Sequence, residues 1–378
     1  MMQPVDYEPT PKASDHKRLH NFSAGPGTLP LAVMEEVKAE LPVYDDVGSS
    51  IMEISHRSPA YSQVDAEAKQ HLRDLLGLGD DWHILFLQGG ASMQFHQVPL
   101  NFLPDGGSAD YLNTGSWSKK AIKEAKIVGD ARNAGPRVVA SSEDKNFSYI
   151  PDRDTWDDLD DEAAYLYYVS NNTIFGTQFK SAPDANVPLV CDASSDFLSR
   201  RIDLDKHGLI FAGAQKNIGP AGVTVVLVHD DFLQRRRDGL PTLLDYKTHA
   251  AKIFNTPPVF AVYMVEKVLR WLKGQGGLDG IQQQNDAKAE MLYGAIDATD
   301  FYRGTAREDS RSTMNVTYRI ADESLEPVFI EQAKKEGLLA LKGHRSVGGL
   351  RASIYNACEP ASVEALVQFM QEFERTNG

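Results

Sequence analysis

Short apolar runs recur along much of the chain: "HILFL" at 83–87, "AYLYYV" at 164–169, "VPLVC" at 187–191, "GLIFAG" at 208–213 and "VTVVLV" at 223–228. They are rich in β-branched and aromatic residues. Most are apolar at consecutive positions, as strands covered on both faces are. Helical periodicity fills several of the intervals, for example "SWSKKAIKEAKI" at 116–127. Strands alternating with helices predict a mostly parallel sheet in a three-layer α/β/α domain. "VFAVYMVEKVLRWLKGQGG" at 259–277 reads as a helix with a glycine stop. After it come "TMNVTYRI", a helical "EPVFIEQAKKEG", "GLRASIY" and a closing amphipathic helix, which predict a compact α+β unit. The expected organisation is a polar tail over 1–20, a large domain over 21–275 and a smaller C-terminal domain over 276–378. A cleft between two such domains suits a small-molecule enzyme.

Composition narrows the class. The 378 residues carry a formal net charge of −14, which argues against a nucleic-acid or anionic-membrane surface. A small anionic substrate is still compatible, because a few converging arginines can hold one locally. Cys191 and Cys358 are far apart and form no C-x-x-C pattern, so neither a disulfide framework nor a metal site is expected. The opening residues have no apolar signal-type stretch, and no apolar run approaches the length of a membrane span. The expected compartment is the reducing cytoplasm.

The stretch "AGAQKNIGPAGVTVVLV", Ala212–Val228, places Lys216 between two amides in a glycine-rich loop flanked by apolar runs. One reading is an ordinary loop lysine near a strand start, since lysine is usually solvated. The other is a desolvated amine with a lowered pKa, able to form an imine with a carbonyl. If that carbonyl belonged to pyridoxal phosphate, the chain would need further parts. Asp192 ends "VPLVCD", where ligands bind in open α/β sheets, and could pair with a pyridine nitrogen; it could equally cap a helix. "QGGASMQF" puts Ala91 and Ser92 at a glycine turn into a helix, a phosphate-binding geometry that is also common as a plain turn. Trp117 follows a short strand and offers a stacking face or a covering for the core. "SHRSPAY" and "LKGHRSVGGLRAS" present the pairs His56–Arg57 and His344–Arg345, suited to a substrate with an anion at each end or to surface ion pairs.

In their order, "NFSAGPGTLP", "SHRSPAY", "GGASMQF", "NTGSWSKKA", "NNTIFGTQF", "CDASSDF", "AGAQKNIGPAG" and "GHRSVGGLRAS" make a pattern that resembles the phosphoserine aminotransferase family. That family lies in class V of the fold-type-I pyridoxal-phosphate enzymes, and the resemblance spans nearly the whole chain. It implies transamination between glutamate and 3-phosphohydroxypyruvate, giving O-phosphoserine and 2-oxoglutarate in serine biosynthesis. A second reaction toward 4-phosphohydroxythreonine of vitamin B6 synthesis is compatible with it. Carried over by motif, Lys216 would bind the cofactor and shuttle the proton, Asp192 would pair with the ring nitrogen, and Trp117 would stack on the ring. Ala91, Ser92 and Gln215 would contact the phosphate, and Thr173 the phenolic oxygen. Asn255 and Thr256 would reach the phosphate from the other subunit of a homodimer with shared sites. Arg57 would hold the substrate carboxylate, and His344 and Arg345 the substrate phosphate, with His56 nearby. Ala24 stands where some members carry serine, and Asn172 where glutamate is common. The alternatives are another class V enzyme (a small-amino-acid aminotransferase or a cysteine desulfurase) or a non-catalytic phosphate-binding α/β protein.

On a chain of net charge −14, the His-Arg pairs must attract a substrate anion against the overall field. The Michaelis constant for a phosphorylated substrate should therefore rise between low and high salt, because exposed charge attraction is screened. Initial-rate kinetics across a salt series test this, and a salt-independent constant rules out the arginine clamp.

Overall fold

The computed structural model describes residues 18–378. Residues 1–17 of the expected tail lie outside the described residues. The central sheet has seven strands: β1 (Trp82–Leu87), β2 (Ser108–Asn113), β3 (Gly135–Ser141), β4 (Leu166–Val169), β5 (Leu189–Asp192), β6 (His207–Gly213) and β7 (Thr224–His229). Their spatial order is β1-β7-β6-β5-β4-β2-β3. Every pairing is parallel except the two made by β7. A parallel pair needs a long crossover, whereas an antiparallel pair can be joined directly. The loop between β6 and β7 is such a direct reversal, and it carries Lys216.

The side-chain period of two divides each strand between two cores. On β6, Ile210 and Ala212 enter one core with the helices Pro59–Leu76 and Val259–Gly274. Leu209 and Phe211 enter the other, with the helices Gly90–Phe102 and Ser116–Asp130. Consecutive apolar runs thus mark strands sandwiched between helical layers, as expected.

A third core forms around an antiparallel sheet of β8 (Tyr302–Gly304), β9 (Asn315–Ile320) and β10 (Leu350–Ser353). The helices Gly277–Asp297, Glu326–Lys335 and Pro360–Asn377 contribute to it. Phe22 joins this core from the far end of the chain, and His20–Asn21 pairs in parallel with Leu338–Leu339.

Two elements escape the periodicity reading. Strand β3, "GPRVVAS", lies at the sheet edge with Val138 43% exposed, and Pro136 is tolerated there. The helix Gly277–Asp297 has the buried stripe Leu278, Ile281, Asn285, Lys288, Ala289, Leu292 and Ile296, in which two polar residues interrupt the apolar pattern.

Phe211 is fully buried at the centre of the sheet, with ring neighbours Phe95 and Tyr167. Phe211→Ala should cost about 3–5 kcal/mol of stability, through lost burial and a cavity the rigid sheet cannot close. Denaturant unfolding of the two proteins measures the difference.

Candidate active site

Lys216 lies in the β6–β7 loop, closed at its base by Ala214 N donating to Val223 O at 3.1 Å. The "SAGPG" segment lies across the same loop. Gly27 N donates to Gln215 O at 2.7 Å, and a Cβ on Gly27 would come within 2.4 Å of Lys216 O. Only glycine permits that approach. The half-buried amine donates from Nζ to Thr173 Oγ1 at 2.6 Å and stands 5.3 Å from the Trp117 ring centroid. Desolvation lowers its pKa to about 8; Asp192 and Asp196 pull it back up, and Arg351 pushes it further down. Part of the amine is therefore neutral, and nucleophilic, near physiological pH.

Asp192 closes β5 and is only 4% exposed. Its Oδ1 accepts from Ser194 N at 3.0 Å, and a turn rather than a helix follows, so it anchors a turn and caps no helix. Burial raises its pKa, while Lys216 and Ser194 act in the opposite sense. Trp117 stands in the first turn of Ser116–Asp130, with Nε1 buried and without a hydrogen-bond partner. Ala91 and Ser92 open the helix that starts at Gly90. That end has no side-chain cap, and Gly89 and Gly90 have φ of 92° and 65°. Its first N–H groups are therefore free for an anion. The Gln215 side-chain amide folds back over Gly213, where a Cβ would lie 2.8 Å from its oxygen. Asn172 donates to Thr177 Oγ1 at 3.1 Å and to Thr114 Oγ1 at 3.3 Å, tying the turn before Thr173 to the turn before Trp117.

Lys216, Asp192, Trp117 and Thr173 thus come together. Gln215 adjoins Lys216 in the same loop, whereas His56, Arg57, His344, Arg345, Asn255 and Thr256 make no such contact. His344, whose Nδ1 meets Ser346 Oγ at 2.7 Å, and exposed Arg345 occupy a loop before β10. His56 lines a depression of about 520 Å³ with Thr256 and Gly222, next to exposed Arg57. Asn255 Nδ2 donates to Gln88 Oε1 at 2.7 Å. Among the described residues, no hydrogen bond or ion pair joins any of these to Lys216, Asp192 or Trp117.

Arg351 was not singled out from the sequence, although it sits inside the quoted "GLRAS". It donates to Thr173 O at 3.2 Å, its Nε is buried without a partner, and no carboxylate among the described residues pairs with it. It depresses the pKa of both Lys216 and His344, so it acts on both. Its signal was the alternation on β10: Leu350 and Ala352 enter the core, which turns Arg351 to the opposite face.

A lysine loop at the carboxyl ends of a parallel sheet, with a buried carboxylate and an aromatic face, defines a class of site. In agreement with it, residues 19–366 match the family model for class-V aminotransferases. The chain belongs to that family. It is 54% identical over 366 residues to the phosphoserine aminotransferase of Desulfosudis oleivorans, spanning 96% of this chain and 99% of the relative. The solved phosphoserine aminotransferase from Bacillus circulans subsp. alkalophilus is 51% identical and superposes with a TM-score of 0.92, over 96% of this chain and 99% of that one. The PLP-bound phosphoserine aminotransferase from Trichomonas vaginalis is 40% identical with a TM-score of 0.89, over 94% and 100% of the two chains.

Asp192 raises the Lys216 pKa against desolvation, so removing its charge removes that support. In the cofactor-free protein, Asp192→Asn should move the pH midpoint of Lys216 acylation below the native value of about 8. Mass spectrometry of the Lys216 peptide across pH reads the midpoint; an upward shift would refute the pairing.

Proposed function

We propose that the protein is a pyridoxal-phosphate-dependent phosphoserine aminotransferase, exchanging an amino group between glutamate and 3-phosphohydroxypyruvate to give O-phosphoserine and 2-oxoglutarate. One observation carries this reading: the Lys216 amine, donating to Thr173 Oγ1, stands with Trp117, buried Asp192 and Arg351, a cation with no carboxylate partner among the described residues. The residues fit the cofactor. Trp117 offers a ring face, Asp192 a buried anion for a protonated ring nitrogen, and Thr173 a hydroxyl beside the amine. Ala91 and Ser92, with Gln215, offer donors to a phosphate. When bound, pyridoxal phosphate supplies the electron sink that lets a proton leave an α-carbon.

The chain's own residues do the rest. Thr173 Oγ1 accepts from Lys216 Nζ and orients the lone pair that takes the α-proton. Lys216 Nζ then returns that proton one position away. A pKa near 8 suits both halves of the transfer. Arg351 is better placed for the substrate carboxylate than exposed Arg57, because it borders Lys216. His344 and Arg345 hold the substrate phosphate. His56, Arg57, Asn255 and Thr256 complete the site from a second copy of the chain. Exposed Met52, Leu243, Ile253 and Phe254 near these residues support a homodimer with shared sites. The same proposal places the enzyme in the cytoplasm; among the described residues no helix is long and apolar enough to cross a membrane.

A cysteine desulfurase needs an exposed, activated thiol. Both cysteines are buried, and burial raises both pKa values, that of Cys358 to about 11. That reading is not favoured.

Phosphoserine added to the holoenzyme should change the absorbance of the bound cofactor in a half-reaction, while alanine and serine should not. The opposite selectivity overturns the substrate assignment. Arg351→Met should raise KM for glutamate and for the phosphorylated substrate together, roughly tenfold to a hundredfold, as expected for lost charge-assisted hydrogen bonds. Steady-state kinetics on both substrates read it.

A further inference from the structure

The polar interruption in the helix Gly277–Asp297 leads to a group of residues that this mechanism leaves unused. Lys288 is 1% exposed. Its Nζ donates to three carbonyls of one turn: Ile354 O at 3.1 Å, Tyr355 O at 2.8 Å and Cys358 O at 3.0 Å. Among the described residues no carboxylate pairs with it, and desolvation draws its pKa down to about 8, with Cys358 acting against that. A buried cation without a counter-ion is costly, and an apolar side chain of similar size would avoid the cost. What the ammonium does is gather three carbonyls at one point, which fixes the turn Ile354–Cys358.

That turn is joined to both sides of the reactive pair. Asn356 N donates to Asn217 Oδ1 at 2.9 Å, and Asn217 is the residue next to Lys216. Asn356 Nδ2 donates to Leu198 O at 2.9 Å, and Asn217 Nδ2 to Phe197 O at 2.7 Å, both in the turn that follows Asp192. Asn285, one helical turn before Lys288, donates to Asn356 Oδ1 at 2.8 Å and to Ser199 O at 3.1 Å. Tyr355 Oη donates to Ala24 O at 2.7 Å, in the segment lying across the lysine loop. These hydrogen bonds reach the lysine's neighbours and none of them involves the side chain of Lys216, Asp192 or Trp117.

We propose that Lys288 and Asn285 are positioning residues: through the turn Ile354–Cys358 they hold the Lys216 loop in register with the turn after Asp192. This rests on Lys216 being the reactive amine. Loosening the turn releases Asn217, lets water reach the amine and weakens its desolvation. The charged groups that act on Lys216 (Asp192, Asp196 and Arg351) are left in place.

The test is acylation of cofactor-free protein with acetic anhydride across pH, reading the Lys216 peptide by mass spectrometry. Lys288→Met and Asn285→Ala should each raise the Lys216 midpoint by about one pH unit, as returning hydration restores the charged form. In the holoenzyme kcat should fall roughly tenfold, with KM little changed, because the reacting group is misplaced while the anion sites are intact. Leu292→Ala, a core truncation on the same helix that removes none of these hydrogen bonds, should lower stability and leave the midpoint where it was. If Lys288→Met does not fold, Asn285→Ala decides alone. An unmoved midpoint in Asn285→Ala, or an equal shift in Leu292→Ala, overturns the proposal. The absolute native midpoint judges whether Lys216 is the reactive amine, and the difference between variants judges the positioning role.

Discussion

The structure is organised around an amine that is stripped of water while a carboxylate stays within electrostatic reach. Desolvation alone would leave Lys216 neutral, and the carboxylate alone would leave it charged. The fold balances the two, and the balance depends on where the backbone runs. Parallel strands deliver Asp192 at the carboxyl end of β5. The antiparallel return into β7 places the lysine loop at the same end of the sheet, beside the β5 tip. The glycines of the N-terminal segment then allow that segment to lie against the loop and exclude solvent from one side.

Much of this was legible in the sequence because the chemistry and the fold share one region. The apolar flanks of Lys216 mark two buried strands and also account for the lowered pKa. Asp192 was recognisable because an acidic residue ends a run that is otherwise wholly apolar. Arg351 was passed over for a physical reason: one charge in a short alternating strand reads as a solvent-facing position. The strand instead presents its second face to the site. Strand β3 was hidden by edge exposure, and the helix Gly277–Asp297 by Asn285 and Lys288, whose burial needs partners distant in sequence. Residues His56, Arg57, Asn255 and Thr256 make no hydrogen bond or ion pair to Lys216 among the described residues, and sequence motifs alone carry no such distance.

Charge follows the same logic of local against global. The protein is strongly acidic, yet cations gather beside Thr173 and Trp117: Lys216, Arg351 and Lys120, the last 4.3 Å from the Trp117 ring centroid. Desolvation is the main cause of the depressed pKa values at Lys216 and His344, and repulsion from Arg351 adds to it at both. A bound dianion would relieve that repulsion, so the free site stores electrostatic strain that favours an anionic ligand.

The lysine's surroundings are drawn from widely separated parts of the chain: Ala24 and Gly27 near the start, the loops after β5 and β6 in the middle, and Tyr355 and Asn356 near the end. During synthesis from the N-terminus, the central sheet can therefore form while its lysine still lacks the C-terminal turn that fixes Asn217. The reactive amine acquires its final surroundings only when the last few dozen residues have emerged.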